Sequence, residues 1–258
     1  MSVTHYLLFL FLVALATYAQ TMTGFAFGLV LLGLAGLFEL APLPVMSNVV
    51  SILTLINALV IIGRTRPSVD WTMLRPAMFS SFAGVGLGVL ALQWMTHDFA
   101  VVLHALLGLT IVVCAFMLVS TARRRKEPSG PRSFVVIGAL SGVLGGLFSS
   151  GGPPMVYHLY RQPLPLATVR NTLLIFFAVM AVARLALVTV SGAIDVDTVI
   201  LSLSALPVVI GLTWLVRRYA NMEAVALIRR LVFLLLLFAG LGLLVPALRD
   251  LLTMLGRP

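Results

Sequence analysis

The sequence predicts an all-α integral membrane protein of two inverted repeats, each an interrupted hairpin of half-helices plus three transmembrane helices. Three observations predict it. Hydrophobic residues fill 61% of the 258 positions and charged residues 10%, and the mean hydropathy is +1.13, far outside the range of soluble domains. The apolar residues gather into eight runs of roughly 20 residues or more, the length that a hydrocarbon core of about 30 Å asks of a helix. Two of these runs are broken, at matching places, by glycine, proline and hydroxyl residues.

The first run, 6–38, opens in MSVTHYLLFLFLVALATYAQ. It lacks the basic amino-terminal region of a signal peptide and continues into more apolar sequence, so it is expected to be retained. QTMTGF (Gln20–Phe25) interrupts it, and PLP (Pro42–Pro44) leads into the second run, 43–63, with Asn48 just inside. The third run, 73–94, carries Gly84, Gly86 and Gly88, which read as residues for close helix packing. The fourth, 99–122, holds His104, read as a packing residue, and the single Cys114; one cysteine can form no disulfide within the chain and no metal cluster. The basic segment RRRKEPSGPR (123–132) follows. The fifth run, 134–160, is broken by SSGGPP (Ser149–Pro154), and a second PLP (Pro163–Pro165) precedes the sixth, 166–190; the seventh and eighth are 197–216 and 231–248. Almost no chain is left for a soluble domain.

Internal repeats govern the fold when they exist. Gly24 answers Gly151, Asn48 answers Asn171, Asp70 answers Asp195 and Pro76 answers Pro207, at offsets between 123 and 131 residues. The chain therefore divides into a first membrane repeat (1–122), a basic cytoplasmic linker (123–132) and a second membrane repeat (133–258). Charge sets the relation between them. If each broken run enters and leaves on one side, each half makes three crossings and the second copy is inverted. Then Arg64, Arg66, Arg75, Arg123–Lys126, Arg132, Arg161, Arg170, Arg217, Arg218, Arg229 and Arg230 share the cytoplasmic side, 14 of the 17 Lys and Arg, as the positive-inside rule requires. The basic residues are thus explained by orientation in the bilayer rather than by nucleic acid, and both termini are expected outside.

Irregular backbone at membrane depth survives only beside protein or a water-filled cavity, so the two breaks mark a cavity. Glycine admits positive φ, and Pro153 and Pro154 suit a first helical turn. Half-helices beginning near Phe25 and Pro153 would turn free N–H groups and positive dipole ends toward an anion. Discontinuous helices at matching places in inverted repeats are where transporters hold their substrates. The expected binding set is Gln20, Thr21, Thr23, Gly24, Phe25, Ser149, Ser150, Gly151 and Gly152, flanked by Asn48 and Asn171, around a small oxyanion.

With those residues in view, GVLGGLFSSGGPPMVYHLY and its weaker partner QTMTGFAFG, with the Pro and Asn that follow each, resemble the TauE/SafE family of sulfite and organosulfonate transporters, also called the 4-toluene sulfonate uptake permease family. The resemblance covers essentially the whole chain. It implies a secondary transporter of a sulfur-containing oxyanion in the bacterial inner membrane, with no cofactor. The family pattern has a triple glycine in the second break where this chain has Ser150-Gly151-Gly152, so the family's pocket size does not carry over directly.

Arg184 lies inside the sixth run, roughly 9 Å from its outer end at 1.5 Å per residue. A charge there is costly unless paired, hydrated or snorkelling, which leaves two roles open: attracting the anion or reaching the interface. Arg170, one turn into the same run, could meet the anion or a lipid phosphate. All eight carboxylates, Glu39, Asp70, Asp98, Glu127, Asp195, Asp197, Glu223 and Asp250, fall at loops or helix ends. That leaves His158, whose imidazole titrates near neutral pH, as the candidate for proton coupling, against the alternative of a neutral hydrogen-bonded histidine. The expected partners are the anion, the bilayer and a co-transported proton, with a homodimer compatible. Two other classes remain: an anion channel using the breaks as a filter, and an intramembrane enzyme, for which only Ser149 or Ser150 with His158 could serve as a dyad.

Overall fold

The computed structural model describes residues 2–63, 68–119, 125–219 and 225–255; Arg64, Arg66, Arg123, Arg124 and Glu223, and the side chains of Asp98 and Arg229, lie outside the described set. Its regular structure is helical: α1 (Val3–Thr23), α2 (Phe27–Leu37), α3 (Leu43–Ile62), α4 (Trp71–Asp98), α5 (Ala100–Val119), α6 (Pro131–Phe148), α7 (Gly152–Tyr160), α8 (Leu166–Val190), α9 (Val196–Tyr219) and α10 (Val225–Leu255). Eight of them are long and apolar enough to cross a membrane, and the other two are α2 and α7. The chain is a multi-pass membrane protein.

Both breaks occur where the sequence places them, but they divide their runs unequally. α1 has 21 residues and α6 has 18, each of spanning length alone, whereas α2 has 11 and α7 has 9. The residues that stop the first helix of each pair explain the inequality. Gly24 ends α1 in the left-handed region (φ 83), its N–H donating to Gln20 O at 2.7 Å, a C-cap that costs glycine little. Ser149 (φ 53) ends α6 and Ala26 (φ 84) precedes α2. Nothing earlier in either run breaks the backbone, so α1 and α6 propagate to full length.

α7 folds back along α6. A Cβ built on Gly151 would stand 2.1 Å from Ser141 O, and His158 Nε2 lies 3.1 Å from Ser133 Oγ near the start of α6. The chain also enters and leaves this hairpin on one face: Arg125 N–H donates to Arg161 O at 2.8 Å and Ser129 N–H to Gln162 Oε1 at 2.9 Å. That face gathers Arg161, Arg170 and Arg217, and is called the basic face below; the loops 38–42 and 191–195 lie on the opposite one.

Helices that correspond in the sequence run in opposite directions. α3 and α8 meet at Asn48 and Arg184 toward the opposite face and at Ala58 and Leu174 nearer the basic face. α5 and α10 meet at Phe116 and Phe233, whose ring centroids are 6.0 Å apart, and again at Gly108 and Leu244. α4 leaves the basic face, where Asp70 N–H donates to Thr172 Oγ1, and reaches Ser191 through Gln93 Nε2. α9 returns to the basic face, where Arg217 Nη1 donates to Ile61 O at 2.7 Å. Packing follows the same exchange: α4 on α6 is answered by α9 on α1, α3 on α9 by α8 on α4, and α10 on α2 by α5 on α7.

The tightest seam joins α4 to α6. Gly84, Gly88, Gly138, Gly142 and Gly146 bring the two backbones together, and Ser81 Oγ lies within hydrogen-bond distance of Gly138 O across the seam at 2.7 Å and of Ala77 O in its own helix at 2.6 Å. Small residues are how membrane helices gain close van der Waals contact where lipid removes the hydrophobic drive. Gly86 takes no part, since a Cβ there meets nothing within 4 Å. α2 sits innermost, with Phe27 through Ala35 all buried.

Candidate anion site

The two breaks meet. A Cβ on Gly28, in the first turn of α2, would lie 2.9 Å from Ser150 Cβ, so the second break presses on the helix that starts at the first. Tyr160 OH donates to Thr23 O at 3.1 Å, and its ring stands edge-on to Phe25 at 6.4 Å. The backbone freed at the first break is thus partly satisfied by the end of α7.

Around this junction the predicted residues separate into two groups. The first lies toward the opposite face and is built on Arg184. Its side chain is 1% exposed; it does not snorkel. Nε donates to Gly146 O at 2.9 Å, and Nη1 donates to Asn48 Oδ1 at 2.8 Å and to Ser51 Oγ at 3.1 Å. Asn48 Nδ2 in turn donates to Ala193 O at 2.9 Å, and Ser149 Oγ bonds Ser51 Oγ and Ser47 O. Nη2 has no protein partner among the described residues. The hydrogen-bond acceptors are all neutral, so among the described residues the guanidinium charge stands buried without a carboxylate bound to it. A buried charge in that condition costs several kcal/mol and favours a negative guest.

The second group lies at the basic face. A cavity of about 250 Å³ is lined by Gln20, Thr21, Gly24, Arg170, Asn171 and Arg217 among others. Arg170 Nη2 donates to Thr21 O at 2.7 Å, which turns this arginine inward and away from lipid. On the opposite face a larger cavity of about 830 Å³ is lined by Leu32, Gly36, Glu39, His104 and Asp250 among others.

Several expectations change with this geometry. Asn48 and Asn171 are not brought together: Asn48 is bound to Arg184, thirteen residues along α8 from Asn171, roughly 20 Å at 1.5 Å per residue. The Thr21 hydroxyl donates to Thr17 O at 2.7 Å, and that of Thr23 lies 2.7 Å from Ala19 O and 2.8 Å from Phe25 O, so the one hydrogen each has to give is engaged within the protein. Gly151 packs on Ser141 rather than lining a cavity, whereas a Cβ on Gly152 would meet nothing closer than 3.9 Å. Pro153 and Pro154 remove two N–H groups from the first turn of α7, so that helix offers an anion fewer amides than expected. His158 is held by Ser133 and stacks edge-on against Phe134 at 4.6 Å, and it lines neither of the two cavities.

Ser47, Ser51, Gly146 and Arg217 join the site without having been singled out in the sequence. The serines carried a readable signal: with Thr54 and Asn57 they recur at helical spacing along one face of α3.

Comparison with known proteins bears on what the site holds. The family profile described as Sulfite exporter TauE/SafE matches residues 9–243. The "Probable sulfite/organosulfonate exporter TauE" of Cupriavidus necator is 31% identical over 236 residues, covering 92% of each chain. No solved structure matches.

Proposed function

From the premise that this chain belongs to the sulfite exporter TauE/SafE family, a family of transporters rather than enzymes, we propose that it is a secondary carrier of sulfite or an organosulfonate working by alternating access. The observation that carries the reading is Arg184: a buried guanidinium whose Nη2 has no protein partner among the described residues and whose bound neighbours are all neutral. Planar guanidinium donors suit sulfur oxyanions as they suit carboxylates. Arg170 and Arg217 at the basic face supply the charge that gathers the anion.

The opposed course of corresponding helices and the exchangeable packing pairs support two inverted repeats, 1–122 and 133–258, rocking about the junction of the breaks. Cavities of about 250 and 830 Å³ on the two faces suit two entrances to one path. With the basic face cytoplasmic, both termini lie outside a bacterial inner membrane, and export runs from the arginine mouth outward.

The test is flux of radiolabelled sulfite in proteoliposomes. Accumulation against a sulfite gradient when a proton gradient is imposed, abolished in Arg184→Leu, is the expected result. Purely dissipative flux would make the protein a channel. Arg170→Ala with Arg217→Ala should raise the half-saturating sulfite concentration at the basic face about tenfold and weaken its dependence on salt.

A further inference from the structure

On α3, Ser47, Ser51, Thr54 and Asn57 share a sector of about 120° at 100° per residue, and all are buried. The next residue on that face is Ile61, which lines the basic-face cavity. The stripe therefore runs from that cavity up to Ser51, the hydroxyl 3.1 Å from Arg184 Nη1. Ser47 Oγ, Thr54 Oγ1 and both amide atoms of Asn57 have no protein partner among the described residues.

Other helices extend the row. The bond from Arg217 Nη1 to Ile61 O sets α9 beside α3, and both run toward the basic face. Thr213 stands one turn before Arg217, as Asn57 stands one turn before Ile61, so the two are level. Thr213 Oγ1 and Gln20 Nε2 also lack protein partners. Three buried threonines of α1 behave otherwise, Thr17, Thr21 and Thr23 each donating to a backbone carbonyl of their own segment, whereas Thr198 and Ser202 on α9, the helix of Thr213, also lack partners among the described residues. Lipid-embedded structure normally leaves no polar atom unpaired. A continuous row of neutral donors between two arginine stations is a surface that solvates an oxyanion without trapping it.

We propose that this stripe, with Gln20 at its basic-face entrance and Asn57 and Thr213 as an uncharged station further in, is the hydrated path on which the anion passes between Arg170/Arg217 and Arg184. This rests on the carrier reading and adds residues that the breaks do not contain. The test uses single cysteines in a Cys114→Ala parent, since Cys114 is buried in α5 away from the path. Iodoacetamide alkylates the thiolate, and so reports where water reaches the sulfur. Thr54→Cys, Asn57→Cys and Thr213→Cys should be alkylated, with sulfite flux falling tenfold or more once the reagent is removed. Val49→Cys and Ile56→Cys, on the other side of α3, should stay unreactive. Thr213→Cys sits on a different helix and keeps the test open if an α3 variant fails to fold. Unreactive thiols at all three positions, or alkylation without loss of flux, would overturn the path. A parent that carries no sulfite would instead count against the carrier reading, with the alkylation pattern still deciding whether the stripe is wet.

Discussion

Arg184 Nη1 lies 2.8 Å from Asn48 Oδ1, and that bond ties α8 of the second half to α3 of the first around a positive charge with only neutral partners. Replacing the amide by a carboxylate, Asn48→Asp, compensates that charge. The ion pair gained is offset by the lost donation from Asn48 Nδ2 to Ala193 O, so thermal unfolding should stay within a few degrees, about 1 kcal/mol in a chain of this size. Sulfite binding should fall about 10- to 100-fold, the worth of a charge-assisted contact. Melting curves with and without sulfite read both, and a variant that binds sulfite normally would remove Arg184 from the site.

Gly151 and Gly152 are neighbours with different duties. A Cβ on Gly151 would stand 2.1 Å from the Ser141 carbonyl oxygen, whereas one on Gly152 meets only ordinary contacts at 3.9 Å. Gly151→Ala should therefore wedge α7 off α6 and destabilise the protein by about 1–3 kcal/mol, with yield and melting temperature falling together. Gly152→Ala should fold normally. Equal stability of the two variants in a melting assay would contradict the packing of the hairpin.

Much of this architecture could be read from the residues alone, because hydropathy and backbone breaks are local signals. Gly24 and Ser149 stand where the helices stop, and the runs between them match the spanning helices. The site was legible only in part. Arg184 was visible as a charge in an apolar run, but whether it snorkels depends on Gly146, Asn48 and Ser51, which come from other helices and carry no mark of their proximity. Thr21 and Thr23 show the opposite difficulty: a hydroxyl near a break suggests a ligand, yet in a helix it readily returns its hydrogen to the carbonyl four residues back. The separation of Asn48 from Asn171 is a fact of the antiparallel course of α3 and α8, and their matching positions in the two halves of the sequence conceal it.

The seam between α4 and α6 offers a comparison among three of its glycines. Cβ atoms on Gly88 and Gly142 would stand 2.3 and 2.4 Å from the backbone oxygens of Val143 and Ser81, while one on Gly86 meets nothing within 4 Å. Gly88→Ala and Gly142→Ala should each cost about 1–3 kcal/mol. Gly86→Ala should gain up to about 1 kcal/mol from the better helix propensity of alanine. Unfolding in mixed micelles ranks the three, and a neutral Gly142→Ala would show that the seam is looser than its geometry.

His158 is the remaining candidate for a proton carrier, and its surroundings argue against it. Nε2 is engaged with Ser133 Oγ at 3.1 Å, the ring packs on Phe134 at 4.6 Å, and the backbone carbonyl accepts from Gln162 Nε2 at 2.9 Å. An added proton would also sit beside the positive charges of Arg125 and Arg161. A glutamine amide can keep the bond to Ser133 without titrating. His158→Gln should therefore leave sulfite flux within about threefold, less than 1 kcal/mol of barrier, and the shape of its pH profile between 5 and 8 unchanged. A profile flattened in that variant alone, with stability preserved, would return the coupling role to His158. An unchanged profile leaves the charge balance of transport to the arginines and the anion's own protonation.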